Sequence, residues 1–425
     1  MTKSLPQYPL ALHISVRMAA CLLAALALAI QGAPLASASA IRSNEWPLDG
    51  QHFNADRLWQ ITKGSGITVA VIDSGVDATH PDLTGQVLPG TGELGDPTDN
   101  GQIDTSADSH GTAIAGIIAG TGKSLDGQGM TGLAPEAKIL PVRVSAGQQV
   151  DPGNLAQGII WAVDHGASVI NVSIGSPRPD PVLRQAVLYA QRKDAVIVAS
   201  AGNSGTDGDP PMYPASFNGV LSVAGTDEDG KPWKESEFGP GISLAAPATN
   251  IYSTNNQGQY VNADGTSYAA AYVSAAAALV RSQETSLTAG QVIRRLITTT
   301  ADHHDYPDAH VGMGELDPLA ALTSTAAPGS PDNPLINLSR VTPPAENHSS
   351  TITIAIVTLG VALMALAAVV GLRRKRAAVM KASRGNDAAN SLAAKKSDRS
   401  SSSTRPVRRL AKAARGKSHS ASGPR

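Results

Sequence analysis

Across residues 55–323, short β-branched apolar runs alternate with stretches whose apolar positions recur at helical spacing. The short runs fall at 67–72, 139–144, 169–174, 196–201 and 220–224, and helical patterns follow several of them, at 155–164, 181–192 and 267–282. Repeated alternation of strand and helix predicts an α/β domain with a central, mostly parallel sheet and helices on both faces. The 267–282 stretch is dominated by Ala, Val and Leu, so it has no polar side to turn to water and should be buried all round.

Two further apolar runs flank this domain. Residues 1–40 place Lys3 and Arg17 ahead of an apolar run from Met18 to Ile30 and close on Ala36-Ser37-Ala38-Ser39-Ala40. That is the order of a secretory signal peptide cut after Ala38 or Ala40, and the run is short for an uncleaved anchor. Residues 41–54 then form a short extension. The second run, 351–372, is uncharged and long enough to cross a hydrocarbon core of roughly 30 Å. Arg373-Arg374-Lys375-Arg376 follow at once, which keeps the 373–425 tail in the cytoplasm and the domain outside it. Between domain and helix, 324–350 is rich in Pro, Ser and Asn and reads as an extended linker. The expected location is the cell membrane, crossed once, with the domain extracytoplasmic.

Charge supports the same division. The formal net charge is −1, yet the tail alone carries 16 Lys and Arg against Asp387 and Asp398, so the rest of the chain is strongly acidic. The tail should lie on the anionic inner leaflet, at about 1 kcal/mol per well-placed basic residue. It has no interleaved aromatics and no recognisable module, so nucleic acid is not an expected partner. Cys21, the one cysteine, sits in the signal segment, which leaves the exported chain without a thiol or a disulfide.

Four segments carry candidate chemistry, each at the end of a predicted strand or the start of a predicted helix. Val71-Ile72-Asp73-Ser74-Gly75 ends a strand with a carboxylate, where open α/β sheets place their sites. Asp108-Ser109-His110-Gly111-Thr112 puts a histidine at the start of a small-residue helix, and Ala199-Ser200-Ala201-Gly202-Asn203 ends another strand with a side-chain amide. Gly265-Thr266-Ser267-Tyr268-Ala269 sets a hydroxyl at the N-terminus of the Ala-rich helix, where free N–H groups favour negative charge. Singly, each reads as a turn or a capped helix start. Together they supply a nucleophile, a base, a group to orient the base and donors for an oxyanion, which is what acyl transfer by serine needs.

The order Asp, His, Ser is that of subtilisin, and residues from about 54 to 322 resemble the subtilisin family of serine proteases. The resemblance implies that Asp73 orients His110, that His110 acts as general base and then general acid, and that Ser267 is acylated. It further implies that Asn203 and the Ser267 N–H bind the oxyanion. Ser173-Ile174-Gly175 resembles the family's substrate-pairing edge strand, and Gly202 would lie by the primary specificity pocket. Many relatives have glycine before the Tyr-Pro of that pocket, whereas here Met212 precedes Tyr213-Pro214; the thioether should shorten the pocket and favour small or medium side chains before the scissile bond. No cofactor is required for such chemistry. Asp82, in His80-Pro81-Asp82-Leu83, matches a calcium-ligating position in some subtilases, but the 121–132 loop does not clearly supply further oxygens, so a turn-capping role is preferred and no metal site is expected.

More narrowly, the sequence resembles the mycosins, membrane-anchored subtilases associated with type VII secretion in actinobacteria. Trp46, Leu48, Leu58 and Trp59 stand ahead of the first strand as in the mycosin extension. Mycosins commonly carry disulfides near the active site, and this chain has none to form there. The family pattern usually has proline at Ala271 and glycine near Ala275; alanine is the better helix former, so the helix should persist with its local kink altered. The function implied is a serine endopeptidase acting on exported proteins, with a secretion-system membrane complex as partner. The alternative is a protease-like scaffold of that complex whose cleavage is dispensable or absent, against which the intact set of Asp73, His110, Asn203 and Ser267 argues.

Overall fold

The computed structural model describes residues 44–336 except 93–97, 146–149 and 209. The signal segment at 1–40, the apolar run at 351–372 and the basic tail at 373–425 lie outside those residues, as does 337–350 of the linker. Among the described residues no helix is long and apolar enough to cross a membrane.

Six strands, β1 Thr68–Asp73, β2 Lys138–Arg143, β3 Val169–Val172, β4 Val196–Ser200, β5 Leu221–Thr226 and β6 Leu244–Pro247, form one sheet in the order β2-β1-β3-β4-β5-β6. Every pairing in it is parallel. Beside it stands an antiparallel hairpin of β7 Ile251–Thr254 and β8 Tyr260–Ala263. Apart from single helical turns at Trp46–Leu48 and Ser124–Gly127, the helices among the described residues are α1 Ala55–Ile61, α2 His110–Ala119, α3 Pro152–Asp164, α4 Pro181–Arg192, α5 Thr266–Gln283, α6 Ala289–Thr298 and α7 Pro318–Thr323.

Successive strand side chains point to opposite faces, and here both faces are covered. Val69, Val71, Val196 and Val198 enter a core with α2 and α5, while Ala70, Ile72, Ile197 and Ala199 enter a second core with α3 and α4. Full burial of each larger aliphatic among them contributes about 1.5–3 kcal/mol. α5 is buried from Thr266 to Val280 and packs against β3 to β6 as well as α2. Its alanines let backbone approach backbone, and the helix runs unbroken through Ala271 and Ala275.

Helix starts follow from local chemistry. α3 begins ahead of 155 because Asp151 accepts from the N–H groups of Gly153 and Asn154 at 2.9 and 3.3 Å, with Pro152 pre-set in the first turn. Asp180 and Pro181 do the same for α4. α6, which was not among the expected helices, starts at a reciprocal cap between Thr288 and Gln291, and its Val292, Ile293, Leu296 and Ile297 recur at helical spacing and are buried. The run at 169–174 was expected to be strand throughout, but β3 stops at Val172 because Ser173 turns toward α5. Beyond it, Ser176 exchanges backbone hydrogen bonds with Tyr213 at 2.9 and 2.8 Å.

The 41–54 extension, from its described residues onward, is part of the core. Trp46, Leu48 and Phe53 are buried, Trp46 Nε1 donates to the Thr249 carbonyl at 3.1 Å, and the Phe53 ring meets Tyr272 of α5 edge-on at 5.4 Å.

Candidate active site

β1 delivers Asp73 at its last residue, at the C-terminal edge of the sheet, 1% exposed. Its Oδ1 accepts from the Ser74 N–H at 2.8 Å and from His110 Nδ1 at 2.8 Å, with Oδ2 3.0 Å from the same nitrogen. A carboxylate can only accept, so Nδ1 carries the proton and Nε2 is left with a lone pair. Burial pushes the imidazole's pKa down, but the Asp73 charge and its hydrogen bond outweigh that and hold His110 above the ordinary histidine value.

His110 is the first residue of α2, and a set of polar groups missed in the sequence fixes the start of that helix. Asp104 accepts through Oδ2 from Thr112 N and Oγ1 at 2.9 and 2.7 Å, and through Oδ1 from Ser74 Oγ and from Ser106 N and Oγ. Ser106 Oγ in turn accepts the His110 N–H at 3.0 Å. Asn256, in the β7–β8 turn, donates to the Asp104 and Ser106 carbonyls. A carboxylate beside the free N–H groups of a helix start is favourable on both counts. Gly111 is required here: a Cβ would lie 2.0 Å from the Gly75 carbonyl oxygen.

Ser267 stands in the first turn of α5, 6% exposed, and its Oγ donates to the Ser173 carbonyl at 3.0 Å. Ser173 Oγ donates back to the Ser267 carbonyl at 3.1 Å. Behind it, Asn171 Nδ2 donates to Ser173 Oγ and Ser274 Oγ donates to Asn171 Oδ1, a buried polar chain joining β3 to α5. The signal for it was an asparagine in a buried apolar strand and a serine in an alanine helix, since buried polar groups need partners.

Asn203 Oδ1 accepts from Thr266 N at 3.0 Å and from Thr266 Oγ1 at 2.8 Å. A backbone N–H cannot accept, so the amide is oriented with its Nδ2 donors directed away from that pair. His110, Asn203 and Ser267 line one cavity of about 400 Å³ together with Tyr268 and Tyr260. The same three line a second of about 240 Å³ with Ser173, Gly175, Gly202 and Met212, so the sequence-predicted binding residues adjoin the sequence-predicted catalytic ones. Glu237, in a loop with no motif to mark it, lines that second cavity too. No residue of 44–54 lines either cavity.

Chemically, a neutral imidazole and a hydroxyl at a helix N-terminus with a fixed amide donor in one cleft can open an acyl compound. Asp82 is elsewhere, 0% exposed. Its carboxylate accepts from Ser124 N and Oγ, Met130 N and the Tyr260 hydroxyl, at 2.7–3.0 Å, and thereby ties the 121–132 loop to the hairpin. Among the described residues no group of three or more His, Cys, Asp or Glu could hold a metal ion.

Comparison with known proteins gives a consistent result. The Subtilase family (Peptidase_S8) model matches residues 64–314. Thermitase from Thermoactinomyces vulgaris is 39% identical over 254 residues, which is 59% of this chain and 87% of thermitase. Mycosin-3 from Mycobacterium tuberculosis is 34% identical over 390 residues, covering 76% of this chain and 83% of its own. Among solved structures, MycP1 from Mycobacterium smegmatis superposes with a TM-score of 0.59 at 32% identity, over 68% of this chain and 87% of that one. MycP3 protease from the type VII (ESX-3) secretion system does so with 0.56 at 37% identity, over 64% and 86%.

Proposed function

The chain belongs to the subtilase family and is a subtilisin-like serine endopeptidase, and from that premise we propose that Asp73, His110 and Ser267 are its catalytic triad, used on exported proteins outside the cell membrane. The observation that carries this reading is the two-oxygen contact of Asp73 with His110 Nδ1, which leaves Nε2 for the cleft that His110 shares with Ser267.

In the reaction, Ser267 Oγ leaves the Ser173 carbonyl and passes its proton to His110 Nε2 as it attacks the scissile carbonyl. Asp73 stabilises the imidazolium without taking the proton. The oxyanion is met by Asn203 Nδ2 and by the Ser267 N–H at the start of α5. His110 then protonates the leaving amine, and water, deprotonated by His110, releases the acyl group. An Asn203→Ala variant should lose about 10²–10³ in kcat with little change in KM. A steady-state comparison in which KM alone rises would remove Asn203 from the oxyanion site.

Because His110 is raised above the ordinary value of about 6.5 and works only when neutral, kcat/KM should fall as pH descends through that raised value. The acid limb of the pH profile is therefore expected on the alkaline side of 6.5, above the centre of the range of about 6 to 7 expected for an ordinary histidine. A limb well below 6.5 would contradict the Asp73–His110 coupling.

Similarity to the MycP3 protease from the type VII (ESX-3) secretion system supports processing linked to such secretion, and the order of signal segment, domain, linker, apolar run and basic tail supports a tethered, extracytoplasmic enzyme. A membrane-impermeant fluorophosphonate applied to intact cells should label the chain at Ser267. Labelling only after lysis would place the domain on the other side, and no labelling in either case would remove the peptidase reading.

A further inference from the structure

The cavity of about 400 Å³ holds a hydroxyl that the triad chemistry leaves idle. Four hydroxyl side chains line it among the described residues, and three of them already donate: Ser109 to Asn256 Oδ1 at 2.9 Å, Tyr260 to Asp82 Oδ2 at 2.7 Å and Ser267 to the Ser173 carbonyl at 3.0 Å. Tyr268 is the fourth. It is 6% exposed, and its hydroxyl has no hydrogen-bond partner among the described residues. Buried polar groups in native proteins are paired, so a phenol left open in a cleft is placed for something that enters the cleft. Burial, followed by the negative charges of Asp108, Asp73 and Asp264, holds it well above the ordinary tyrosine value, and it therefore keeps its proton and remains a donor.

The position of the ring says which part of a substrate it meets. Tyr268 follows Ser267 directly in the first turn of α5, and its ring centroid lies 6.2 Å from that of His110. The two cavities meet at His110, Asn203 and Ser267, and Tyr268 borders only the one of about 400 Å³. A peptide lying across Ser267 with its acyl half beside Ser173, Gly175 and Gly202 sends its leaving half into the other cavity, against Tyr268.

We propose that the Tyr268 hydroxyl holds the leaving half of the substrate by donating a hydrogen bond to the first main-chain carbonyl beyond the scissile bond; the proposal rests on the peptidase reading above. Every peptide carries that acceptor at that place, whatever its side chains. The walls favour it over a charged acceptor. Asp108 and Asp264 border the same space, with no Lys or Arg among the described lining residues, so a carboxylate would be repelled where a neutral carbonyl is not. Asp264 is fixed at that wall by the Asn250 N–H, which donates to its Oδ1 at 2.6 Å. The contact exists only while the leaving half is attached. It therefore assists acylation, does nothing for release of the acyl group, and makes the enzyme depend on chain that continues past the bond.

The test compares wild type with Tyr268→Phe, both as purified full chains, on two substrates that share one acyl half. One is a peptide extending two residues beyond the bond; the other is a benzyl thioester, whose leaving group has no carbonyl. The phenylalanine keeps the ring and loses the donor. For the peptide kcat/KM should fall about 5- to 10-fold, and for the thioester it should stay within about 2-fold. Equal loss on both would mean that Tyr268 acts through His110 or the fold, and loss on neither that the ring only packs; either result overturns the assignment. Where the variant does not fold, wild type decides alone. A peptide with a methylene in place of that carbonyl should lose the same factor against its parent, and equal rates overturn the assignment. A fluorophosphonate control separates the two layers of inference. A wild-type protein that labels at Ser267 without the expected selective loss forfeits only the role of Tyr268, whereas one that never labels forfeits the peptidase reading and that role with it.

Discussion

Replacing Ser267 with alanine should lower kcat by about 10⁶-fold and abolish fluorophosphonate labelling while the fold persists. The size is the one known for subtilisin when its serine is removed, and the local structure gives reason to expect the change to be confined to chemistry. The side chain makes one hydrogen bond, to the Ser173 carbonyl, and stands in a helix already built of alanine. Losing a hydrogen bond of that kind costs about 1 kcal/mol, within the reach of a domain with two packed cores. Substrate affinity should hardly move, because the cavity of about 240 Å³ beside Ser267 keeps its other walls. Single-turnover kinetics on a peptide substrate would measure the loss, and a residual rate within 10²-fold of wild type would mean that another group is the nucleophile.

Asp73→Asn should cost about 10⁴ in kcat, and the reason lies in the partners of Oδ1. The Ser74 N–H donates to that oxygen at 2.8 Å, so the new amide must keep its own oxygen there. Its NH₂ then takes the Oδ2 position, 3.0 Å from His110 Nδ1, and sets a second donor against the proton that Nδ1 carries. The tautomer with its proton on Nε2 is thereby favoured, and in that form the imidazole cannot receive one from Ser267. The loss of the carboxylate also removes the influence that raises His110, so the acid limb of the residual activity should shift to lower pH. A variant whose rate falls only a few-fold, or whose limb stays in place, would show that Asp73 does not act on the imidazole.

Much of this arrangement was legible before any coordinates because it depends on local features. Strands read as β-branched runs, and Asp73, His110, Asn203 and Ser267 each sit where a strand ends or a helix begins, a position the pattern itself marks. What escaped were groups whose meaning is purely tertiary. Asp104 is an ordinary loop acid until Thr112 and Ser74 are folded onto it, thirty residues from one of them. β6 has no β-branched residue and ends in proline, and the four-residue strands of the hairpin fall below the length at which periodicity distinguishes anything. Glu237 escaped for the same reason, since nothing local to it announces that Gly202 will lie beneath its carboxylate. Ser173 shows the opposite case: its run continues apolar to Ile174, yet a hydrogen bond to α5 ends the strand early.

The burial of Trp46, Leu48 and Phe53 bears on how this protein is delimited. The family model begins at residue 64, but the hydrophobic core begins at Trp46, and Phe53 reaches Tyr272 on the very helix that presents Ser267. The stretch that the family model matches is thus shorter than the stretch that packs into the core. A recombinant fragment cut at the start of the family match would leave one flank of α5 open to water, so a well-chosen fragment starts ahead of Glu45, whose carboxylate already accepts the Thr131 N–H at 2.7 Å.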